Sequence, residues 1–144
     1  MSYARVTCNT SGEQKMHWDL DQLEAMIAKE SDLVITREDD CLLIANGDGI
    51  DAWLAISGEQ ILIESLLFAT NEVKDTNQLN DVVLRTHMMF PLTTVGITEI
   101  SGESYYTAFG SLSSQSKESS ILIEIETLFE NVEAFIDAWQ DFLK

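Results

Sequence analysis

Residues 33–68, LVITREDDCLLIANGDGIDAWLAISGEQILIESLLF, decide the fold of this 144-residue chain. Four short apolar runs, Leu33–Glu38, Cys41–Ala45, Ala52–Ser57 and Gln60–Phe68, are separated by Asp39-Asp40, Asn46-Gly47-Asp48-Gly49 and Gly58-Glu59. Short runs of this kind, broken by Gly, Asn and Asp, are strands joined by hairpin turns. The loops are too short for crossovers, so neighbouring strands must be antiparallel. Leu33, Ile35 and Arg37 alternate with Val34, Thr36 and Glu38, whereas Ile61–Phe68 is apolar on both faces and is expected to be more buried.

Helical signals flank this meander. Asp19 with Gln22 three residues on is a helix N-cap, Trp18 can staple against Leu23, and Leu20, Leu23 and Ile27 form an apolar stripe. Asp75 with Gln78 repeats the pattern and opens a helix carrying Leu79, Val82, Val83, Thr86 and Phe90 on one face, which Pro91 stops. Gly96–Ile100 and Ser104–Gly110 flank Ser101-Gly102-Glu103 as a further hairpin, and Ser111–Ser120 reads as a polar loop. Ile121, Ile123 and Ile125 then alternate with Leu122, Glu124 and Glu126 as a half-buried strand. Thr127 with Glu130 forms a capping box for a last helix striped by Leu128, Val132, Phe135, Ile136, Trp139 and Leu143. The expected architecture is an α+β fold of order α-β-β-β-β-α-β-β-β-α, a single antiparallel sheet covered by helices.

Size and composition fit one domain, taken as residues 17–144. Residues 1–16 read as a flexible N-terminal tail, though the same polar stretch also fits an extra edge strand or sequence upstream of a start at Met16. Cys8 and Cys41 match neither a zinc ligand set nor a disulfide framework, and Cys41 is expected to be a small buried apolar group. No run approaches the roughly 20 apolar residues of a membrane span, so direct membrane insertion is not expected and the cytoplasm is the expected compartment. With 25 acidic and 8 basic residues the net charge is -17, which argues against nucleic-acid binding and points to a protein partner with a basic surface.

Chemistry is sparse. Serine- or cysteine-dependent hydrolysis needs a histidine, and His17 beside a helix cap and His87 near a helix end lack a nucleophile motif around them. Asn46-Gly47-Asp48-Gly49-Ile50-Asp51 does not place ligands at calcium-loop positions, and no glycine pattern cradles a phosphate. Glu124 and Glu126 share a strand face expected to be solvated, and Tyr105, Tyr106 and Phe109 are expected to pack the sheet. No catalytic residue, metal or cofactor is therefore expected.

The charge layout remains. Between Glu38 and Val73 there are eight acidic residues and no basic one, and seven more acids lie between Glu118 and Leu143. A solubilising coat accounts for this charge, and so does a docking face, for which Asp39, Asp40, Asp48, Asp51, Glu59 and Glu64 are the candidate partner-binding residues. The expected function is thus a non-catalytic, acidic protein-binding module, with a homodimer formed through the helix near Thr76–Phe90 or through an open sheet edge. The alternatives are a small-ligand-binding protein or enzyme whose site converges only in space, and a nucleic-acid mimic with carboxylates spaced like phosphates.

The stretch Pro91–Val132 resembles the YjfI family of small bacterial proteins. The resemblance lies in Thr94-Val95-Gly96-Ile97, Tyr105-Tyr106-Thr107-Ala108-Phe109-Gly110 and the Ile-Glu alternation running into Thr127-Leu128-Phe129-Glu130-Asn131-Val132, and it extends over residues 17–144. It implies a cytoplasmic bacterial protein associated with envelope-stress proteins of the phage-shock type, and it supplies no catalytic residues. The order of elements is also similar to that of type III secretion chaperones, which implies a chaperone-like role by analogy of topology.

Overall fold

The computed structural model describes residues 17–144; the expected tail, residues 1–16, and Cys8 within it lie outside the described residues. The four runs form the expected meander, β1 (Leu33–Glu38), β2 (Cys41–Asn46), β3 (Asp51–Ser57) and β4 (Gln60–Ala69). Gly58 has a φ of 60° at the first position of the Gly58-Glu59 turn, a left-handed conformation that glycine adopts without penalty. A further hairpin joins β5 (Thr94–Ile100) to β6 (Glu103–Ser113) through Ser101 and Gly102, both at positive φ. Among the described residues the six strands are antiparallel neighbours in the order β1-β2-β3-β4-β6-β5, with β1 and β5 at the edges.

Three α-helices complete the described residues: α1 (Leu20–Ile27), α2 (Thr76–Thr86) and α3 (Glu118–Trp139). The caps read from the sequence form. The Asp19 carboxylate accepts the Gln22 N–H at 2.7 Å while the Gln22 side chain accepts the Asp19 N–H at 3.1 Å, and Asp75 accepts the N–H groups of Asn77 and Gln78. The Trp18 indole packs against the core and donates to the Ser116 carbonyl at 2.7 Å.

Buried side chains of all three helices join one cluster with Leu42 and Ile44, Ala52 and Leu54, Ile61 and Ile63, and Tyr106 and Ala108. These are alternate residues of their strands, so the helices cover one face of the sheet. Cys41, on the opposite face, is half-buried rather than enclosed. Tyr106 is buried as expected, its ring 5.2 Å from that of Phe68, while Tyr105 and Phe109 are half-buried on the uncovered face.

The C-terminal third departs from expectation. β6 continues through Ser113, and Ile121–Glu126, expected to be a strand, is the start of α3. The serine-rich loop thereby shrinks, and Thr127 lies inside the helix, whose N-cap is Lys117. Ile121, Ile125, Leu128, Val132, Phe135 and Trp139 are all buried, and their spacing of three and four residues extends one helical stripe back to residue 121. Alternation over six residues fits either period, and only the longer stripe distinguishes them. Ile123, which a strand would bury with its neighbours, is 52% exposed. Ile125→Ala is therefore expected to cost about 2–5 kcal/mol. Ile123→Ala should stay within about 0.5 kcal/mol. Urea unfolding measures both, and equal losses would restore the strand.

A candidate protein-docking face

Because side chains alternate along a strand, three helices on one face leave the other with no covering element among the described residues. Register aligns one residue from each strand in a row across that open face: Thr36, Leu43, Trp53, Glu64, Phe109 and Thr94. Leu62 and Leu66 extend the apolar surface along β4, and Trp53 and Leu66 are 39% and 38% exposed. None of Leu43, Trp53, Leu62, Leu66 or Phe109 joins the buried core. Glu64 is the one carboxylate of the row. Its Oε1 lies 2.9 Å from the hydroxyl of buried Thr107, which also approaches the Ser65 carbonyl at 3.2 Å.

Beside Trp53 the β3–β4 ladder ends, and the Ser65 hydroxyl donates to the Asp51 carbonyl at 2.8 Å. A cavity of about 300 Å³ opens there, walled by Ile50, Trp53 and Leu66 and by Val132 and Ile136 of α3. A larger groove of about 720 Å³ runs between α3 and the start of β1. Leu33, Leu122 and Phe129 contribute its apolar lining, and Glu30, Asp32, Asp48, Glu126 and Glu130 its carboxylates, with no Lys or Arg among the lining residues. Among the described residues no group of three or more His, Cys, Asp or Glu side chains is placed to hold a metal ion.

The structure does not bring the six candidate acids into one patch. Asp39, Asp40 and Glu59 occupy the β1–β2 and β3–β4 turns at one end of the sheet, and Asp48 and Asp51 flank the β2–β3 connection at the other. Those five are exposed, whereas Glu64 is half-buried midway along the open face. Asp48 alone of the six lines the groove; of its other carboxylates, Glu126 was expected on a solvated strand face and Glu130 in a capping box, neither as a docking residue. The missed signal is the i, i+4, i+8 spacing of Leu122, Glu126 and Glu130, meaningful only once residues 121–126 are helical. Trp53 and Phe109 become site residues only through register.

Other expected groups have structural employment. His87 Nε2 accepts the Val95 N–H at 3.0 Å, tying the end of α2 to β5, and His17 Nδ1 sits 2.8 Å from the Ser114 hydroxyl. Glu124, expected on a solvated face with Glu126, is instead 5% exposed with its carboxylate packed over Gly110, while Glu126 is exposed. Burial raises the pKa of Glu124 above the ordinary carboxylate value. Of the basic side chains, Arg37 bridges Asp21 and Glu24 at 2.9 and 3.2 Å, and Arg85 bridges Asp81 at 2.9 Å. No helix among the described residues is long and apolar enough to cross a membrane.

Residues 13–143 match the family described as an uncharacterized protein conserved in bacteria, DUF2170. The uncharacterized protein YjfI of Escherichia coli (strain K12) is 32% identical over 104 residues, which are 71% of this chain and 78% of YjfI. Among solved structures, YbjN of E. coli aligns with a TM-score of 0.64 at 16% identity, covering 84% of this chain and 93% of that one. A chain of the HopA1–SchA chaperone–effector complex aligns with a TM-score of 0.57 at 17% identity, covering 78% and 88%. A chain of the ExsC–ExsE complex aligns with a TM-score of 0.52 at 14% identity, covering 88% and 97%. The likeness to these structures is one of fold.

Proposed function

This chain belongs to the DUF2170 family of bacterial proteins, and from that premise we propose that it is a non-catalytic protein-binding module of the cytoplasm that holds a partner with a basic surface, in the manner of a chaperone. One observation carries the reading: an aromatic and aliphatic sheet face that no described element covers, on a chain otherwise rich in carboxylates. Contiguous exposed apolar surface on a soluble domain marks an interaction site, and the surrounding negative charge selects and steers basic partners. A chain of similar fold in one complex named for a chaperone and an effector supports it.

The test is retention from native bacterial extract on the immobilised full chain, washed across a salt series beside an unrelated acidic protein of matched charge. A protein held above that control and released by salt is expected, with weaker retention after Asp48→Lys, Glu126→Lys and Glu130→Lys together. Retention no better than the control overturns the reading.

The proposal includes a homodimer. Residues 82–98 contain no Asp or Glu, and Arg85 is their sole Lys or Arg, so this is where two chains of such negative charge can approach. Leu84, 77% exposed, shares a hollow with Val95, Gly96 and Ile97 of the edge strand β5, and Met88, 97% exposed, follows α2 in the same acid-free stretch. Light scattering of the chain alone should give twice the chain mass, and Leu84→Glu with Met88→Glu should return it to one.

A further inference from the structure

Resting on the protein-binding reading, we propose that the groove between α3 and the start of β1 seats the partner's basic segment, a stretch of chain that carries aliphatic side chains between lysines or arginines. The groove has an apolar lining, to which Leu33 of β1 and Leu122 of α3 contribute. Its carboxylates come from three separate parts of the chain. Glu30 and Asp32 lie just before β1, Asp48 lies in the β2–β3 connection, and Glu126 and Glu130 follow Leu122 at successive four-residue steps along α3. Apolar surface with negative charge on every side is a setting that neither a purely apolar nor a purely cationic occupant satisfies.

Charge and size select the occupant. The ion pairs among the described residues join Arg37 to Asp21 and Glu24, and Arg85 to Asp81, so none of the five groove carboxylates is neutralised by one. Like charges gathered around one hollow repel one another, and a cationic occupant relieves that repulsion. Among the described residues no three acidic, histidine or cysteine side chains converge as a metal ion requires, so the five charges are spread to meet several cations rather than one ion. Lysine and arginine suit this arrangement, because their methylene stems lie along apolar surface while their charged heads reach carboxylates beyond it. A volume of about 720 Å³ is that of a cavity holding a drug-sized ligand, room for several side chains at once. A second copy of this chain, with 25 acidic residues against 8 basic, is a poor match for this groove, and so is a nucleic acid.

The experiment titrates the isotopically labelled full chain at low salt with three probes, following backbone N–H signals by NMR. They are acetyl-Lys-Leu-Lys-Leu-Lys-amide, acetyl-Lys-Ser-Lys-Ser-Lys-amide, which keeps the charge and removes the apolar side chains, and spermine. The leucine peptide should shift the amides of Leu33, Asp48, Leu122 and Glu126 and should bind about tenfold more tightly than the serine peptide. Glu126→Gln with Glu130→Gln removes two exposed charges at constant shape, and should weaken the leucine peptide about tenfold without lowering the melting temperature. Leu122→Ser should weaken the leucine peptide and leave the serine peptide unchanged. Equal binding of the two peptides, or spermine binding as tightly as the leucine peptide, overturns the proposal in favour of a polycation held by charge alone. Shifts centred on Trp53, Glu64 and Phe109 place the basic segment on the open sheet face and overturn the groove, leaving the protein-binding reading standing. No shift with any probe also overturns the groove, while retention of the unmodified chain's partner from extract judges the broader reading separately.

Discussion

Phe135→Ala is expected to lower the free energy of unfolding by about 3–5 kcal/mol. Phe135 is buried, and its ring stacks on Trp139 at 4.7 Å with an interplanar angle of 8° and meets the edge of Phe90 at 4.5 Å. It therefore joins the last turns of α3 to the segment just after α2, and truncation leaves a void that neither neighbouring ring can fill without leaving the other. A domain of this size is stable by about 5–15 kcal/mol, so the loss is a large fraction of the whole. At about 2–4 °C per kcal/mol, the melting temperature should fall by roughly 10 °C. Urea denaturation should show a lower midpoint with the slope unchanged. A loss under about 1 kcal/mol would mean that this ring does not fill the core.

Gly110→Val should destabilise nearly as much, for the opposite reason. A Cβ at this position would run into the Glu124 carboxylate, lying 3.1 Å from its Cδ and 3.3 Å from its Cγ, so valine overpacks a closed site at a cost of about 1–3 kcal/mol. Adding Glu124→Ala makes room, and the double variant should be more stable than Gly110→Val alone. Two losses that simply add would show that the residues do not touch.

The same carboxylate sets a pH dependence with a definite sign. Burial raises the pKa of Glu124, so the folded chain binds this proton more tightly than the unfolded chain does. Its penalty is absent below the ordinary carboxylate range and grows as pH rises from the unfolded to the raised folded value. Glu124→Gln should therefore unfold at higher urea than the parent at neutral pH, with the difference closing in acid. A difference that widens in acid would contradict the burial.

The hairpins and caps were legible because each is written in adjacent residues. Gly58-Glu59 and Ser101-Gly102 state their turns outright, and Asp19 with Gln22 closes a capping box within four positions. The start of α3 was not legible because Ile121, Ile123 and Ile125 satisfy both periods, and the tie is broken by Phe135 and Trp139 far along the chain. That misreading concealed the acidic groove, since it put Glu126 on a strand and Glu130 on a separate helix, whereas one continuous helix stacks Leu122, Glu126 and Glu130 along one side. The six acids were found as a charge run, which carries no geometry; register alone distinguishes Glu64 from the five at the ends of the sheet. Trp53 and Phe109, more than fifty positions apart, fall into one row with it only through the pairing of β4 with β3 and β6.

That pairing has a kinetic meaning. The strands β1 to β4 zip through neighbouring hairpins, whereas the seam from Gln60–Ser113 to Ala69–Tyr105 must wait for a long loop to close. The late event in folding is thus expected to be the docking of the β5–β6 hairpin onto a finished meander. Until it occurs, Glu64 has an aromatic neighbour on one side only. A partner seated across the open face would then act as a latch across the seam, slowing hydrogen exchange along β6 by the free energy of its own binding.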